Sequence, residues 1–311
     1  MAVRANEWHN RHFWRVSNAE HLKMSEDVGM INVSHFAEID VQGPDAADLL
    51  EYICVAKVGG DTPVGKGVYT HFLDAKGGVR ADLTVLRLGQ DHYRVVDGAD
   101  AGHRDLTWIR RMAQDRGANV KVTDTTTQYG CLALWDALHA LGVTPVGVET
   151  YANSRRMEKS LRLQNADLLT EYNLFECDLA RPKLKAADFH GKQAHLKFRE
   201  REHQPATLCT LMMTHNIDST GVARYPLGNL PVMDPATGAT LIDAQGRRSY
   251  TTSIAFGPTI GKNIALAYLP HAYCEVGREL QIQYFGDVYP VQVVAVGYRP
   301  LYDAENVKPR S

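Results

Sequence analysis

Residues 66–97 read KGVYTHFLDAKGGVRADLTVLRLGQDHYRVVD. Three runs rich in β-branched and aromatic residues, Val68–Leu73, Val79–Leu88 and His92–Val96, are separated by Asp74–Gly78 and Gly89–Asp91, both built of turn-forming residues. The pattern predicts a β-meander. In its middle strand Val79, Ala81, Leu83 and Val85 alternate onto one face, so Arg80, Asp82 and Thr84 share the other. Asp82 therefore points away from the apolar row. By pattern alone an acidic side chain placed there is a solvated surface group, and a functional role needs a second line of argument.

Working outward from the meander, Ser17 and Glu20 have capping-box spacing, which predicts a helix from about residue 18 to Val28, closed by Gly29. Met30–Gly43 reads as a pair of strands, and Pro44 opens a helix with apolar residues at helical spacing. On the other side, Asp97–Asp100 is a turn with Asp100 as helix cap. A helix over 101–116 follows, with Leu106, Ile109 and Ala113 facing inward and Gly117 at its end. Asn119–Val122 is a further strand. Tyr129–Trp135 and Thr144–Val148 are weaker strand candidates before a helix at about 149–163. From Ala206 onward short apolar strands alternate with turn signals at Asp218–Gly221, Asp234–Gly238, Asp243–Gly246 and Phe285–Asp287, the pattern of a small β-barrel or sandwich.

The chain has 311 residues, 44% hydrophobic and 23% charged, enough for two or three globular domains. Its 34 basic and 36 acidic side chains give a net charge of −2 with no basic stripe, which argues against a nucleic-acid partner. No apolar run is long enough to span a bilayer and the first residues lack a signal-peptide core, so a cytoplasmic location is expected. The five cysteines are scattered and never form a C-x-x-C pair, so neither a disulfide framework nor a zinc knuckle is expected. The histidines show no ligand spacing, although His9 and His12 could share a helix face, and no metal site is expected. Gly257–Lys262 (GPTIGK) lacks the spacing of a phosphate loop and reads as a turn between strands.

Gly77–Val85 (GGVRADLTV) resembles the GG-x-x-x-D-L-x-V segment of the glycine cleavage T-protein (aminomethyltransferase) superfamily. Val28-Gly29, Val33–His35, Glu38-Ile39, Val41 and Gly43–Ala46 match that family's opening in register. Ser154, Arg156, Glu158 and Lys159 match its A-x-x-S-L-R-L-E-K helix, and Thr252-Ser253 with Gly257–Tyr268 resemble its T-S-x-x-x-S-P-T-L-G-K-x-I-A-L-x-Y signature. Trp14 and Glu20–Leu22 look closest to the folate-binding half of dimethylglycine and sarcosine dehydrogenases.

The resemblance implies an α+β, T-protein-like multidomain fold with ferredoxin-like α+β domains and a C-terminal β-barrel. Residues 1–125 would form a folate-binding α+β domain, 126–205 a truncated central α+β domain and 206–311 the barrel. It implies tetrahydrofolate as cofactor and Asp82 as the catalytic carboxylate beside its reactive nitrogens. Tyr69, Thr84, Asp97 and Arg156 would be cofactor contacts. For His35 and Tyr69 the plain alternatives, a core histidine and an amphipathic strand residue, stay open.

Two departures stand out. The family carries asparagine where this chain has Asp97, which exchanges an amide for an acceptor-only anion. Leu132–Leu138 (LALWDAL) reads as if two separate family landmarks had been fused, with the intervening G-Y-x-G-E-x-G block and its pterin-holding glutamate removed.

The implied function is tetrahydrofolate-dependent transfer of an aminomethyl or methyl group, or demethylation, from a methylated amine or related donor. Any oxidation would fall to a separate flavin dehydrogenase subunit, since no G-x-G-x-x-G fingerprint is present. The alternatives are a non-catalytic folate-binding or assembly protein and a degenerate paralogue with impaired folate binding. A shortened centre would uncover a sheet edge, and a homodimer is one way to cover it.

Overall fold

The computed structural model describes residues 13–128 and 138–302. The meander is present as read. β3 (Gly67–Leu73), β4 (Val79–Arg87) and β5 (His92–Asp97) are consecutive antiparallel neighbours, and β2 (Ala37–Gln42) and β6 (Lys121–Asp124) extend them into a five-stranded sheet of order β3-β4-β5-β2-β6. Two glycines make the first hairpin possible. Gly77 has a left-handed φ of 83°, and a Cβ on Gly78 would strike the carbonyl of Thr170.

One face of this sheet is the core. Ala81, Leu83, Val85, Ile39, Val41, Tyr93 and Val95 pack under α2 (Ala46–Ile53) and α3 (Gly102–Asp115), whose Leu49, Leu50, Ile53 and Ile109 are fully buried. Period-2 and period-3.6 apolar spacings meet there, as the sequence pattern requires.

Several local expectations are corrected. α1 runs Trp14–Glu26, so Ser17 lies inside it and is buried instead of capping it. Glu20 reaches across to Gly147 N–H at 3.0 Å and Thr150 Oγ1 at 3.2 Å, a tertiary contact in place of a capping box. β1 (Gly29–Met30) and β2 are not partners, since β1 pairs in parallel with β7 (Thr144–Pro145). Ala101 occupies the cap position of α3 without a side-chain bond, while Asp100 accepts from Asn165 at 2.8 Å. The helix expected at 149–163 is a π-helix over Thr150–Arg155 and one turn, α4 (Arg156–Glu158), ended by Ser160 at φ 56°. The strand candidate at 129–135, the LALWDAL stretch apart from Leu138, Cys131 and the His9/His12 pair lie outside the described residues.

From residue 160 to 205 the chain runs mainly as turns, with α5 at Lys192–Arg199. Met157, Leu168, Tyr172, Leu174, Cys177 and Phe189 share one core with Leu73 and Val79 of the first sheet and Leu208, Leu266 and Tyr268 of the second. That second sheet has the order β10-β11-β8-β13-β12-β9, from β8 (Ala206–Met213), β9 (Val232–Met233), β10 (Thr251–Gly257), β11 (Lys262–Pro270), β12 (Glu279–Tyr284) and β13 (Asp287–Val296). It curls until its edges meet. Pro231 bridges Tyr250, and Thr251 N–H donates to the Leu230 carbonyl at 2.8 Å, giving the C-terminal barrel.

Candidate active site

The sheet face opposite α2 and α3 carries the candidate site. Tyr69 pairs across strands with Thr84, and His71 with Asp82, so alternation sets all four side chains on this face. The Tyr69 and His71 rings meet edge to face at 5.0 Å. His71 Nε2 lies 3.4 Å from Asp82 Oδ1, too long for a good hydrogen bond, and both atoms are buried without a partner. A buried polar atom in that state costs about 1–3 kcal/mol unless something else satisfies it. Tyr69 is 46% exposed, so its ring offers an open flank beside the carboxylate. Burial, and then the neighbouring Asp82 carboxylate, push the Tyr69 phenol well above its ordinary range, so it keeps its proton.

Asp82 is held from behind. β5 has ended where β4 passes Asp82, and Gln164 substitutes for the missing strand. Its Oε1 accepts from Asp82 N–H at 2.7 Å and its Nε2 donates to the Arg80 carbonyl at 3.1 Å. Nothing in the sequence announced Gln164. His71 was legible, because it sits two residues from Tyr69 on the same strand face.

Asp97, at the end of β5, is 2% exposed. Its Oδ1 accepts from Gly98 N–H at 2.7 Å and its Oδ2 is buried without a partner. Burial first, and the nearby Asp105 carboxyl second, push its pKa up to about 9, while Arg104 ties up Asp105 at 3.0 Å. That direction favours a protonated carboxyl, able to donate, over the acceptor-only anion expected from the exchange.

Arg156 stands apart from this face. It is buried, donating to the Ala152 carbonyl, to Asp167 Oδ2 at 2.8 Å and to Ser253 Oγ at 2.8 Å, and it lines a different cavity of about 260 Å³ with Asn263 and Phe256. The structure thus brings Asp82, Tyr69 and Thr84 together and commits Arg156 to protein partners.

A half-buried carboxylate with an unpartnered oxygen, flanked by an exposed aromatic ring, can accept a hydrogen bond from a ligand N–H, stabilise developing positive charge and stack a flat ring. Among the described residues no three His, Cys, Asp or Glu side chains are placed to hold a metal ion, and no helix is long and apolar enough to cross a membrane. Cys54, Cys177, Cys209 and Cys274 are free thiols.

An α+β domain with a polar carboxylate face, joined to a curled β-barrel, defines a class that comparison makes specific. The GCVT N-terminal domain family matches residues 2–136, and the Glycine cleavage T-protein C-terminal barrel domain family matches residues 230–303. The chain belongs to the glycine cleavage T-protein family. It is 28% identical to an aminomethyltransferase from Saccharopolyspora erythraea, over 90% of this chain and 89% of that protein. It is 24% identical to the mitochondrial dimethylglycine dehydrogenase of Rattus norvegicus, over 91% of this chain but 38% of that longer protein. The crystal structure of glycine cleavage system aminomethyltransferase T from Bartonella henselae shares the fold at a TM-score of 0.72 and 18% identity, over 92% of this chain and 90% of that one.

Proposed function

We propose that this protein is a tetrahydrofolate-dependent one-carbon transferase that takes an aminomethyl or methyl group from a methylated amine or a related donor. The observation that carries the reading is Asp82: a carboxylate with a buried, unpartnered oxygen beside the exposed Tyr69 ring, in the segment that matches the family. The residues fit the cofactor, since that oxygen can take up a cofactor N–H and the ring can carry a flat heterocycle. When bound, tetrahydrofolate supplies the nitrogens that accept the one-carbon unit. Asp82 would orient the reacting nitrogen, hold its proton and stabilise the positive charge that develops, an effect strengthened where water is excluded. Thr84 would add a polar contact on the same face, Asp97 would reach the cofactor only past the end of β5, and Arg156 would act by docking the barrel through Asp167 and Ser253.

The reading that a central block carrying a pterin-holding glutamate is absent belongs to this proposal, and it is compatible with gaps on this chain's side of the alignments. The matches run over 344 and 351 positions while engaging 90% and 91% of a 311-residue chain. A cytoplasmic location, a separate flavin-bearing dehydrogenase partner and a homodimer belong to the same proposal. Calorimetric titration with tetrahydrofolate, followed by single-turnover transfer from dimethylglycine in the presence of an added flavin dehydrogenase that oxidises it to the iminium, tests it. Binding with transfer supports the enzyme reading, binding without transfer leaves a folate-binding protein, and no binding overturns it.

A further inference from the structure

The cysteines are scattered along the chain, but the barrel brings two of them together. Alternation along β8 turns Cys209, with Leu211 and Met213, into the barrel core, while Leu208 faces the core shared with the first sheet. Cys274 follows the short 3-10 turn His271–Tyr273 after β11 and packs against the same barrel core. Both sulfurs reach Thr207, which precedes Cys209 by two residues on the same strand face. Cys209 Sγ donates to the Thr207 carbonyl at 3.5 Å, and Cys274 is hydrogen-bonded to the Thr207 main chain and hydroxyl. The two thiols are also hydrogen-bonded to each other. Cys54 and Cys177, by contrast, lie in two separate cores with no second cysteine among the described residues of either.

The pair is asymmetric. Cys209 is fully buried, whereas Cys274 is only half-buried. The hydrogen bond from Cys209 holds the Cys274 thiol below its ordinary value, and the same bond, aided by burial, raises Cys209 well above it. A partly exposed, more acidic thiol beside a sheltered one is the arrangement of an attacking and a resolving sulfur. We propose that Cys274 and Cys209 are a reversible redox pair, which a peroxide converts to a disulfide at this end of the barrel. In the first step the Cys274 thiolate attacks one peroxide oxygen and the O–O bond breaks. Cys274 becomes a sulfenic acid, and the departing hydroxide takes up the proton released by the thiol to leave as water. In the second step the Cys209 sulfur attacks the Cys274 sulfur, so the S–S bond forms and the S–O bond breaks. The hydroxide leaves as water with the Cys209 proton. Two thiols lose two electrons in all, and one hydrogen peroxide is reduced to two waters. The bond would close residues 210–273 into a loop and tie the 3-10 turn to β8.

Treatment of the full, folded chain with a small excess of hydrogen peroxide, then alkylation under denaturing conditions and mass spectrometry of the digest, tests the pair. The expected product is a single cross-linked peptide joining Cys209 and Cys274, lighter by two hydrogens and released by dithiothreitol, with Cys54 and Cys177 still alkylated. Cys209→Ser should halt the reaction at a Cys274 sulfenic acid that dimedone captures, and Cys274→Ser should leave Cys209 reduced. Thermal melts check that both variants are folded, and the wild-type digest decides the matter if either is not. Full alkylation of both thiols in the peroxide-treated wild type, a cross-link from either to a third cysteine, or undiminished oxidation of Cys209 in Cys274→Ser overturns the inference.

Discussion

Two buried polar clusters in this chain are built on opposite rules. At the junction of π-helix, α4 and barrel every partner is supplied internally. His21, fully buried, is hydrogen-bonded to Ser154 at 2.8 Å and to Glu158 and Thr259 at 3.0 Å. Glu158 Oε1 also accepts from Thr259 N–H at 2.9 Å, and these partners outweigh its burial and hold its pKa below the ordinary value. Beside it, Asp167 accepts from Arg156 at 2.8 Å and from Ser253 at 2.8 Å. On the first sheet, by contrast, Asp82 Oδ1 and His71 Nε2 on one face, and Asp97 Oδ2 on the α3 side at the end of β5, are left unpartnered. A fully satisfied buried network specifies how segments dock; an unsatisfied one carries a cost that a ligand can relieve.

The comparison breaks most visibly if its satisfied half is not structural. Asp167→Ala leaves Arg156 buried without its counter-ion and should destabilise the chain by about 3–5 kcal/mol in denaturant titration. A loss below about 1 kcal/mol would show that the clamp is incidental. Asp82→Asn should do the reverse, leaving the melt within about 1 kcal/mol of wild type while single-turnover transfer falls roughly a hundredfold, about 2.7 kcal/mol of barrier. Equal rates would remove Asp82 from the chemistry. Between the two lies Gln164→Ala, which strips the substitute ladder from the Asp82 amide and the Arg80 carbonyl. It should cost about 2 kcal/mol of stability and also slow transfer, because the carboxylate loses its fixed backing. Loss of stability with no change in rate would place Gln164 wholly in the structural half.

The sequence disclosed what depends on short-range periodicity. Alternation in Val79–Val85 placed Asp82 opposite the core, and that placement survives in the structure with Tyr69, His71 and Thr84 beside it. Register matches fixed the family and the barrel. What stayed hidden depends on contacts distant along the chain. Ser17 and Glu20 have cap spacing, yet the carboxylate is claimed by Gly147 and Thr150 more than a hundred residues away. Arg156 looks like an anion-binding residue in its motif, and only the fold shows its guanidinium consumed by Asp167 and Ser253. Gln164 comes from a segment without regular secondary structure, where no periodic signal exists.

Asp97 offers the finest test, because its protonation state decides which half of the comparison it joins. Its carboxyl is raised to about 9 by burial and then by Asp105, with Arg104 opposing weakly from the same helix. In the unfolded chain it would ionise near the ordinary value of about 4. Between those limits the folded state holds a proton that the unfolded state releases, so rising pH favours unfolding. The associated stability is fully present below pH ~4 and is lost progressively as the pH climbs towards 9. Asp97→Asn has no such proton and keeps a neutral donor in place. Its stability relative to wild type should therefore grow with pH, by up to about 1.4 kcal/mol per pH unit between pH 5 and pH 8 in paired denaturant titrations. A difference that stays flat over that range would mean that Asp97 is ionised in the fold, that its second oxygen has found a cation, and that it belongs with the satisfied cluster instead of the open one.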